Sequence, residues 1–187
     1  MKRNFIFDPG FHHGEGSLYL TELYEVDRSW QIFTFEPNSA CRRHLLRANV
    51  LQDPPVTGLA FAVGCRAGPA LFSREAGQPG GLEDGQASHL KSIPLEVDHR
   101  GAGEEEVWCI NFQLFLRALI PPRSKGEDRL FVVVKMDIEG AEYPILRTML
   151  ADGSIERIDV LHVEFHDRIL PDETVESTAA LRQELEK

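Results

Sequence analysis

A short apolar run at residues 131–134 ends in a cluster of charged side chains, and this junction limits the possible folds more than any other stretch. Lys135, Asp137, Glu139 and Glu142 follow the run, and an amphipathic segment comes after them. Burying such charges without partners would be costly, so we expect them to belong to a site. In open parallel α/β sheets, ligands bind where the strands give way to helices. The sequence therefore predicts a ligand site at the end of this strand.

Composition restricts the classes of protein to which the chain can belong. Its 187 residues suffice for a sizeable core, and we expect one domain over residues 1–187. A formal charge of −10 disfavours sequence-independent nucleic-acid binding, which needs a basic surface. No stretch approaches the roughly 18 apolar residues of a membrane span, and the start lacks the apolar region of a signal peptide. We expect a cytoplasmic protein without nucleic-acid or membrane partners.

Strand-like and helix-like segments alternate along the chain. This order is typical of an α/β fold of the Rossmann-like, doubly wound type, with a mainly parallel sheet and helices on both faces. Strands are predicted at residues 4–7, 31–35, 57–63, 107–112, 131–134 and 158–165. Helices are predicted at residues 15–26, 40–49, 141–150 and 174–186, and between residue 112 and residue 119. Ser39 is the predicted cap of the second helix.

Three stretches interrupt this alternation. A hairpin is predicted to turn at residues 66–68 and to return through residues 70–72. Residues 74–89 are rich in turn-forming residues and are predicted to be a flexible loop. Residues 96–106 are predicted to be a second polar break.

A turn of the form Asp-x-Gly-x-x-x-Gly-x-Gly follows the first strand, with Asp8, Gly10, Gly14 and Gly16 at its fixed positions. Glycines let the backbone approach a ligand closely, and the N–H groups of the following helix face that ligand. By itself the pattern is weak, because a plain turn has the same form.

Glu36 strengthens the interpretation, since it ends the second strand 22 residues after Gly14 (36 − 14). An acid about 20 residues beyond a glycine loop is placed to accept hydrogen bonds from ribose hydroxyls. Its charge disfavours a 2′-phosphate. Together the two features predict an adenosine-type ligand, the alternative for Glu36 being a solvated turn residue before Pro37.

Residues 135–142, Lys-Met-Asp-Ile-Glu-Gly-Ala-Glu, closely resemble the signature of the FkbM-type methyltransferases, a class I S-adenosylmethionine-dependent family. Other segments resemble the family in the same order. They are the cofactor loop (residues 7–14), the acidic second-strand end (34–38), the third strand and turn (59–68) and the acid that closes the fifth strand (163–165). The resemblance runs from about residue 5 to residue 166.

The resemblance implies methyl transfer from S-adenosylmethionine, usually to a hydroxyl of a sugar or of another small molecule such as a polyketide-type natural product. The cofactor-binding residues that it implies are Asp8, Gly10 and Gly14 at the methionine part, Glu36 at the ribose, and Val63, Gly64 and Cys65 near the adenine. It places Asp137 beside the sulfonium and the incoming hydroxyl.

Methyl transfer needs an in-line approach of the acceptor oxygen, and a general base helps when the hydroxyl is not activated. Asp137 is the leading candidate for that base, and the other candidates are Lys135, His12, His13 and His166. Glu164, His166 and His12 are expected to contact the substrate. The adjacent His12 and His13 could equally be exposed residues with no part in binding or catalysis.

His162, Glu164 and His166 alternate, so they would share one face of the last strand. With Asp137 they have the chemistry of an oxygen and nitrogen metal site, but His162 is more typical of a satisfied core histidine. No metal is predicted. Glu139 and Glu142 would equally suit the positive end of the following helix.

The chain departs from the family pattern in several respects. Class I methyltransferases usually carry two further strands after the fifth, whereas one helix is predicted after residue 165. In addition, Cys65 stands where an acid is common in the family. A homo-oligomer that completes the short sheet is one expectation. The alternative functions are a non-catalytic nucleoside-binding or interaction module and an NAD-linked oxidoreductase, although the second half that would bind the nicotinamide is not evident.

Overall fold

The structure, a computed structural model, describes residues 4–48, 54–75, 89–90, 101–122 and 130–187. Its strands are β1 (Asn4–Pro9), β2 (Trp30–Phe35), β3 (Val56–Leu59), β4 (Ala62–Gly64), β5 (Gly68–Glu75), β6 (His89–Leu90), β7 (Gly101–Asn111), β8 (Val132–Met136) and β9 (Val160–Val163). Its α-helices are α1 (Glu15–Leu23), α2 (Arg42–Ala48), α3 (Phe112–Leu119), α4 (Glu142–Asp152) and α5 (Val175–Leu185). None of these helices is both long and apolar enough to span a bilayer.

Five strands form a parallel sheet in the order β3-β2-β1-β8-β9. The chain proceeds outward from β1 through β2 to β3 on one side and from β8 to β9 on the other. The direction reverses between β1 and β8, where Phe7 pairs with Val134. Ligands bind at such a reversal, outside the carboxyl ends of the strands. The predicted Rossmann-like α/β fold is confirmed.

Alternating side chains of the central strands pack against helices on opposite faces of this sheet. Ile6 packs in one cluster with Leu20 of α1. Its neighbour Phe7 packs in the main core with Phe112 of α3 and Ile145 of α4. All five side chains are fully buried, and burial stabilises by about 1.5–3 kcal/mol for each large apolar side chain. The packing on both faces fixes the strand ends relative to one another.

A second sheet, of order β4-β7-β5-β6, corrects two predictions. The single strand predicted at residues 57–63 is two strands, β3 in the first sheet and β4 in the second. The predicted hairpin is also wrong, because β7 lies between β4 and β5 and pairs with both. Alternation of apolar residues marks a strand but does not identify its partner, which here comes from much later in the chain.

The polar break predicted at residues 96–106 is wrong over residues 101–106, which belong to β7, while residues 96–100 lie outside the described residues. Glu104 and Glu106 are exposed, whereas Val107 is buried. An antiparallel strand can have one face in water, and acidic side chains are tolerated on that face. The polar composition of residues 101–106 therefore did not indicate a loop.

The flexible loop predicted at residues 74–89 is wrong at its two ends, because residues 74–75 belong to β5 and residue 89 to β6. Residues 76–88 lie outside the described residues.

Asn38, rather than the predicted Ser39, caps the helical segment after β2. Its side chain accepts a hydrogen bond from the Ala40 N–H, and the 3-10 turn Ser39–Cys41 precedes α2. The Ser39 N–H instead donates to Glu105 Oε1 of β7 at 2.9 Å. This bond ties the second sheet to the first.

Candidate functional site

A cavity of about 590 Å³ opens at the carboxyl edge of the parallel sheet. Residues that follow β1, β2, β8 and β9 line it, and the second sheet adds an apolar wall. That wall consists of Phe61, Ala62, Val63, Phe72 and Leu90. The sequence indicated only Val63, because the pairing of the second sheet was not predicted. Phe61 directly precedes β4, and the other three residues belong to that sheet. The size and the largely apolar wall are typical of a small-molecule site.

The glycine loop after β1 lies directly against the segment after β8. Gly10 has a φ of 86°, and a Cβ built on it would lie 1.8 Å from the carbonyl oxygen of Asp137. Gly14 has a φ of 101° and is the residue before α1. His12, between them, also takes a left-handed conformation, with a φ of 50°. The loop therefore depends on residues that tolerate positive φ, and at Gly10 it leaves no room for a side chain.

Lys135 connects two carboxylates at the ends of neighbouring strands. Its Nζ lies 3.1 Å from Asp137 Oδ2 and 3.8 Å from Oδ1 of the fully buried Asp8. Asp8 Oδ2 accepts a hydrogen bond of 2.5 Å from Ser17 Oγ, while its Oδ1 has no hydrogen-bond partner among the described residues. Burial raises the pKa of Asp8, against the opposing effect of Lys135. Lys135 and Asp137 line the cavity.

Glu36 combines a structural role with a place in the cavity wall. Its side chain is buried, and its oxygens accept hydrogen bonds from the backbone N–H of His12 at 2.6 Å and of Asn38 at 2.7 Å. Burial raises its pKa to about 7, although these two hydrogen bonds oppose the shift. Glu36 thus holds the glycine loop against the end of β2. Its burial excludes the alternative of a solvated turn residue.

His166 lies among three carboxylates at the same edge. Its Nδ1 is 2.9 Å from Oε1 of the fully buried Glu142, and its Nε2 is 3.5 Å from Glu139 Oε2 and 3.8 Å from Asp137 Oδ1. Burial alone would lower the pKa of His166, but these carboxylates raise it. Burial raises the pKa of Glu139, which also takes a left-handed φ of 51°. The sequence grouped His166 with Asp137 but did not indicate that Glu139 and Glu142 meet them.

Several predicted residues lie apart from the cavity wall. His13 stacks between His12 and His44, with ring centroids 3.9 Å and 4.2 Å away. His162 bonds to the Tyr24 hydroxyl at 2.8 Å, as expected of a satisfied histidine, and does not join Asp137. Cys65 lies 3.6 Å from Thr148 of α4. Two more of the residues predicted for the site, His12 and Glu164, line the cavity. Five of the predicted residues are not part of its wall, namely Asp8, Gly14, Gly64, Cys65 and His166.

The comparison with known families agrees with this geometry. The family model described as Methyltransferase FkbM domain matches residues 8–187. No curated protein and no solved structure matches the chain significantly. The matched region contains the glycine loop, Glu36 and residues 135–142, which the fold brings to one cavity. The chain therefore belongs to the FkbM family of S-adenosylmethionine-dependent methyltransferases.

Proposed function

We propose that the cavity binds S-adenosylmethionine and that the protein transfers its methyl group to a hydroxyl oxygen of a small molecule. One observation carries this proposal. Gly10 of the glycine loop, Glu36 after β2 and Asp137 after β8 all line the same cavity, at the point where the strand order reverses. A methyl donor and an acceptor can meet only if one site holds both.

The charge of the cavity wall favours this cofactor over NAD. Five acidic residues line the cavity and only one lysine does so among the described residues, the acids being Glu15, Glu36, Asp137, Glu139 and Glu164. S-adenosylmethionine has a net positive charge, because its sulfonium and amino group outweigh its one carboxylate, whereas NAD carries a negatively charged pyrophosphate. Opposite charges attract strongly in a partly buried site, so an acidic wall favours the sulfonium compound.

Glu36 supports ribose binding because it has acceptor capacity left. A carboxylate offers about four lone-pair positions, and the two backbone N–H bonds of Glu36 use two of them. The ribose hydroxyls would donate to the remaining positions. The adenine would then contact the apolar wall at Phe61, Val63 and Leu90.

The reaction needs only an aligned oxygen and a place for its proton. The acceptor oxygen attacks the methyl carbon in line with the sulfur, and a C–O bond forms as the S–C bond breaks. The electron pair of that bond stays on sulfur and leaves neutral S-adenosylhomocysteine. The hydroxyl proton passes to Asp137, which Lys135 orients through the contact of 3.1 Å. Alignment and base catalysis would each contribute to the rate.

The acceptor end of the cavity favours a hydroxylated molecule. Glu164 and His12 line the cavity and offer hydrogen-bonding groups to hydroxyls, while the acidic wall disfavours anionic acceptors. Sugars and polyketide-type alcohols fit this description. The alternative is a module of the same fold that binds the nucleoside without turnover.

The test is methyl uptake from labelled S-adenosylmethionine by a panel of sugars and polyketide-type alcohols, with the whole chain as catalyst. We expect label in at least one neutral polyhydroxylated acceptor, and transfer at least about 100-fold slower with the Asp137→Asn variant. Cofactor binding without methyl uptake by any acceptor of the panel would support the non-catalytic alternative.

A further inference from the structure

Three side chains beside the cavity hold potential metal ligands close together. Asp137, Glu139 and His166 each offer one ligand atom, and these atoms lie within 4.8 Å of one another. Asp137 and Glu139 follow β8 and line the cavity, and His166 follows β9. The contact of Lys135 is to Asp137 Oδ2, whereas Oδ1 is the oxygen that approaches His166.

The orientation of His166 is fixed from behind by a buried carboxylate. Glu142 Oε1 contacts His166 Nδ1 at 2.9 Å, which turns Nε2 toward Asp137 and Glu139. Glu142 is itself held, because it accepts hydrogen bonds from the backbone N–H groups of Gly140 at 2.9 Å and His166 at 3.2 Å. A histidine that binds a metal typically donates its other ring N–H to a carboxylate in this way.

Glu139 has a strained backbone conformation, with a φ of 51°. A left-handed conformation is costly for a residue other than glycine, and such strain is concentrated at functional sites. Glu139 lines the cavity, and its Oε2 lies 3.5 Å from Nε2 of His166.

We propose that Asp137, Glu139 and His166 bind a divalent transition-metal cation at the acceptor end of the cavity. Two carboxylate oxygens and one imidazole nitrogen suit a transition-metal cation better than Mg²⁺ or Ca²⁺, which prefer oxygen ligands alone. This differs from the sequence-based expectation of no metal, which considered His162 and Glu164 as partners rather than Glu139.

The use of the cation in catalysis rests on the proposed methyl transfer, whereas its binding does not. A bound cation would hold the acceptor oxygen and lower the pKa of its hydroxyl. Asp137 would bind the cation through Oδ1, which faces His166, and its Oδ2 would still take up the hydroxyl proton. Three protein ligands leave positions for two substrate oxygens. The site would therefore select acceptors with adjacent oxygens, such as vicinal diols.

The experiment is a titration of the chelator-treated whole chain with Mn²⁺, followed by the electron paramagnetic resonance signal of the free ion. We expect one Mn²⁺ per chain, and a loss of affinity of about 10- to 100-fold in the Glu142→Gln variant, which removes the carboxylate behind His166. His166→Gln and Glu139→Gln should weaken binding at least as much. His162→Gln is the matched control and should bind Mn²⁺ like the unmodified chain.

Circular dichroism of each variant identifies any that fails to fold, and the Glu139→Gln variant provides the test if the buried Glu142 does not tolerate substitution. Absence of Mn²⁺ binding, or equal binding by the His166→Gln and His162→Gln variants, would overturn the proposal. Titration of the same samples with S-adenosylmethionine separates the two proposals, because cofactor binding without Mn²⁺ binding leaves the methyl-transfer proposal intact.

Discussion

Gly10 and Asp137 are in backbone contact, since a Cβ on Gly10 would lie 1.8 Å from the carbonyl oxygen of Asp137. The Asp137 N–H also donates to the carbonyl of Pro9 at 3.4 Å. The glycine loop and residues 135–142 are thus packed against each other without intervening side chains. This contact fixes the position of Asp137 relative to the cofactor loop.

The Gly10→Ala substitution should lower the free energy of unfolding by about 2 kcal/mol or more, because it adds a backbone clash to the cost of a positive φ. Chemical denaturation measures the change. Gly153→Ala is the matched control, since Gly153 has a φ of 72° but a Cβ added to it would meet no atom within 4 Å. Equal losses in the two variants would show that the contact with Asp137 is not tight.

The Gly16→Ala substitution should reduce methyl transfer without reducing stability. A Cβ on Gly16 would lie 2.7 Å from Cε of Lys135, so the flexible lysine must move away from Asp8 and Asp137. Alanine also favours a helix by about 1 kcal/mol over glycine, and Gly16 lies in α1. Kinetics and thermal unfolding of one sample check both effects. A variant that is more stable and fully active would contradict the assigned role of Lys135.

Adenosine affinity should rise between pH 6 and pH 8. Burial raises the pKa of Glu36 to about 7, so its carboxyl is mostly protonated at the lower pH and mostly ionised at the higher one. An ionised carboxylate accepts stronger hydrogen bonds from ribose hydroxyls, and the gain is limited to about tenfold by the change in ionised fraction. Adenosine itself does not titrate in this range.

Two variants separate Glu36 from the other acids of the cavity. Glu36→Gln should make the adenosine affinity independent of pH, whereas Glu139→Gln should leave the pH dependence in place. Glu139 is the matched control because it also lines the cavity and burial raises its pKa to about 7. A pH dependence that survives Glu36→Gln would remove Glu36 from the ribose-binding role.

The Asp137→Asn substitution should lower the turnover number by about 10²- to 10⁴-fold while changing cofactor affinity much less. The amide keeps the shape of the side chain but cannot take up the proton. Steady-state kinetics and cofactor titration measure the two quantities separately. Full activity in this variant would exclude Asp137 as the proton acceptor.

The sequence was sufficient for the parallel sheet and for its functional edge. Apolar runs that end in Asp8, Glu36 and Asp137 mark the carboxyl ends of three strands, and parallel pairing places those ends together. The second sheet could not be predicted from the sequence, because the pairing of β7 between β4 and β5 depends on contacts between distant segments. For the same reason, Phe72 and Leu90 were not recognised as part of the cavity wall.

The cluster around His166 shows a related limit. Regular alternation placed His162, Glu164 and His166 on one face of a strand, but β9 ends at Val163. Beyond that point the chain turns, and His166 meets Glu142 of α4. The end of a short strand is set by its neighbours, so residue spacing could not indicate this contact.

The central claim is that this cavity binds S-adenosylmethionine. Calorimetric titration of the whole chain with S-adenosylmethionine, S-adenosylhomocysteine and NAD tests it most directly. We expect both sulfur compounds to bind at sub-millimolar concentration, with weaker binding to the Glu36→Ala variant and no comparable binding of NAD. Failure of both sulfur compounds to bind, or preferential binding of NAD, would contradict it.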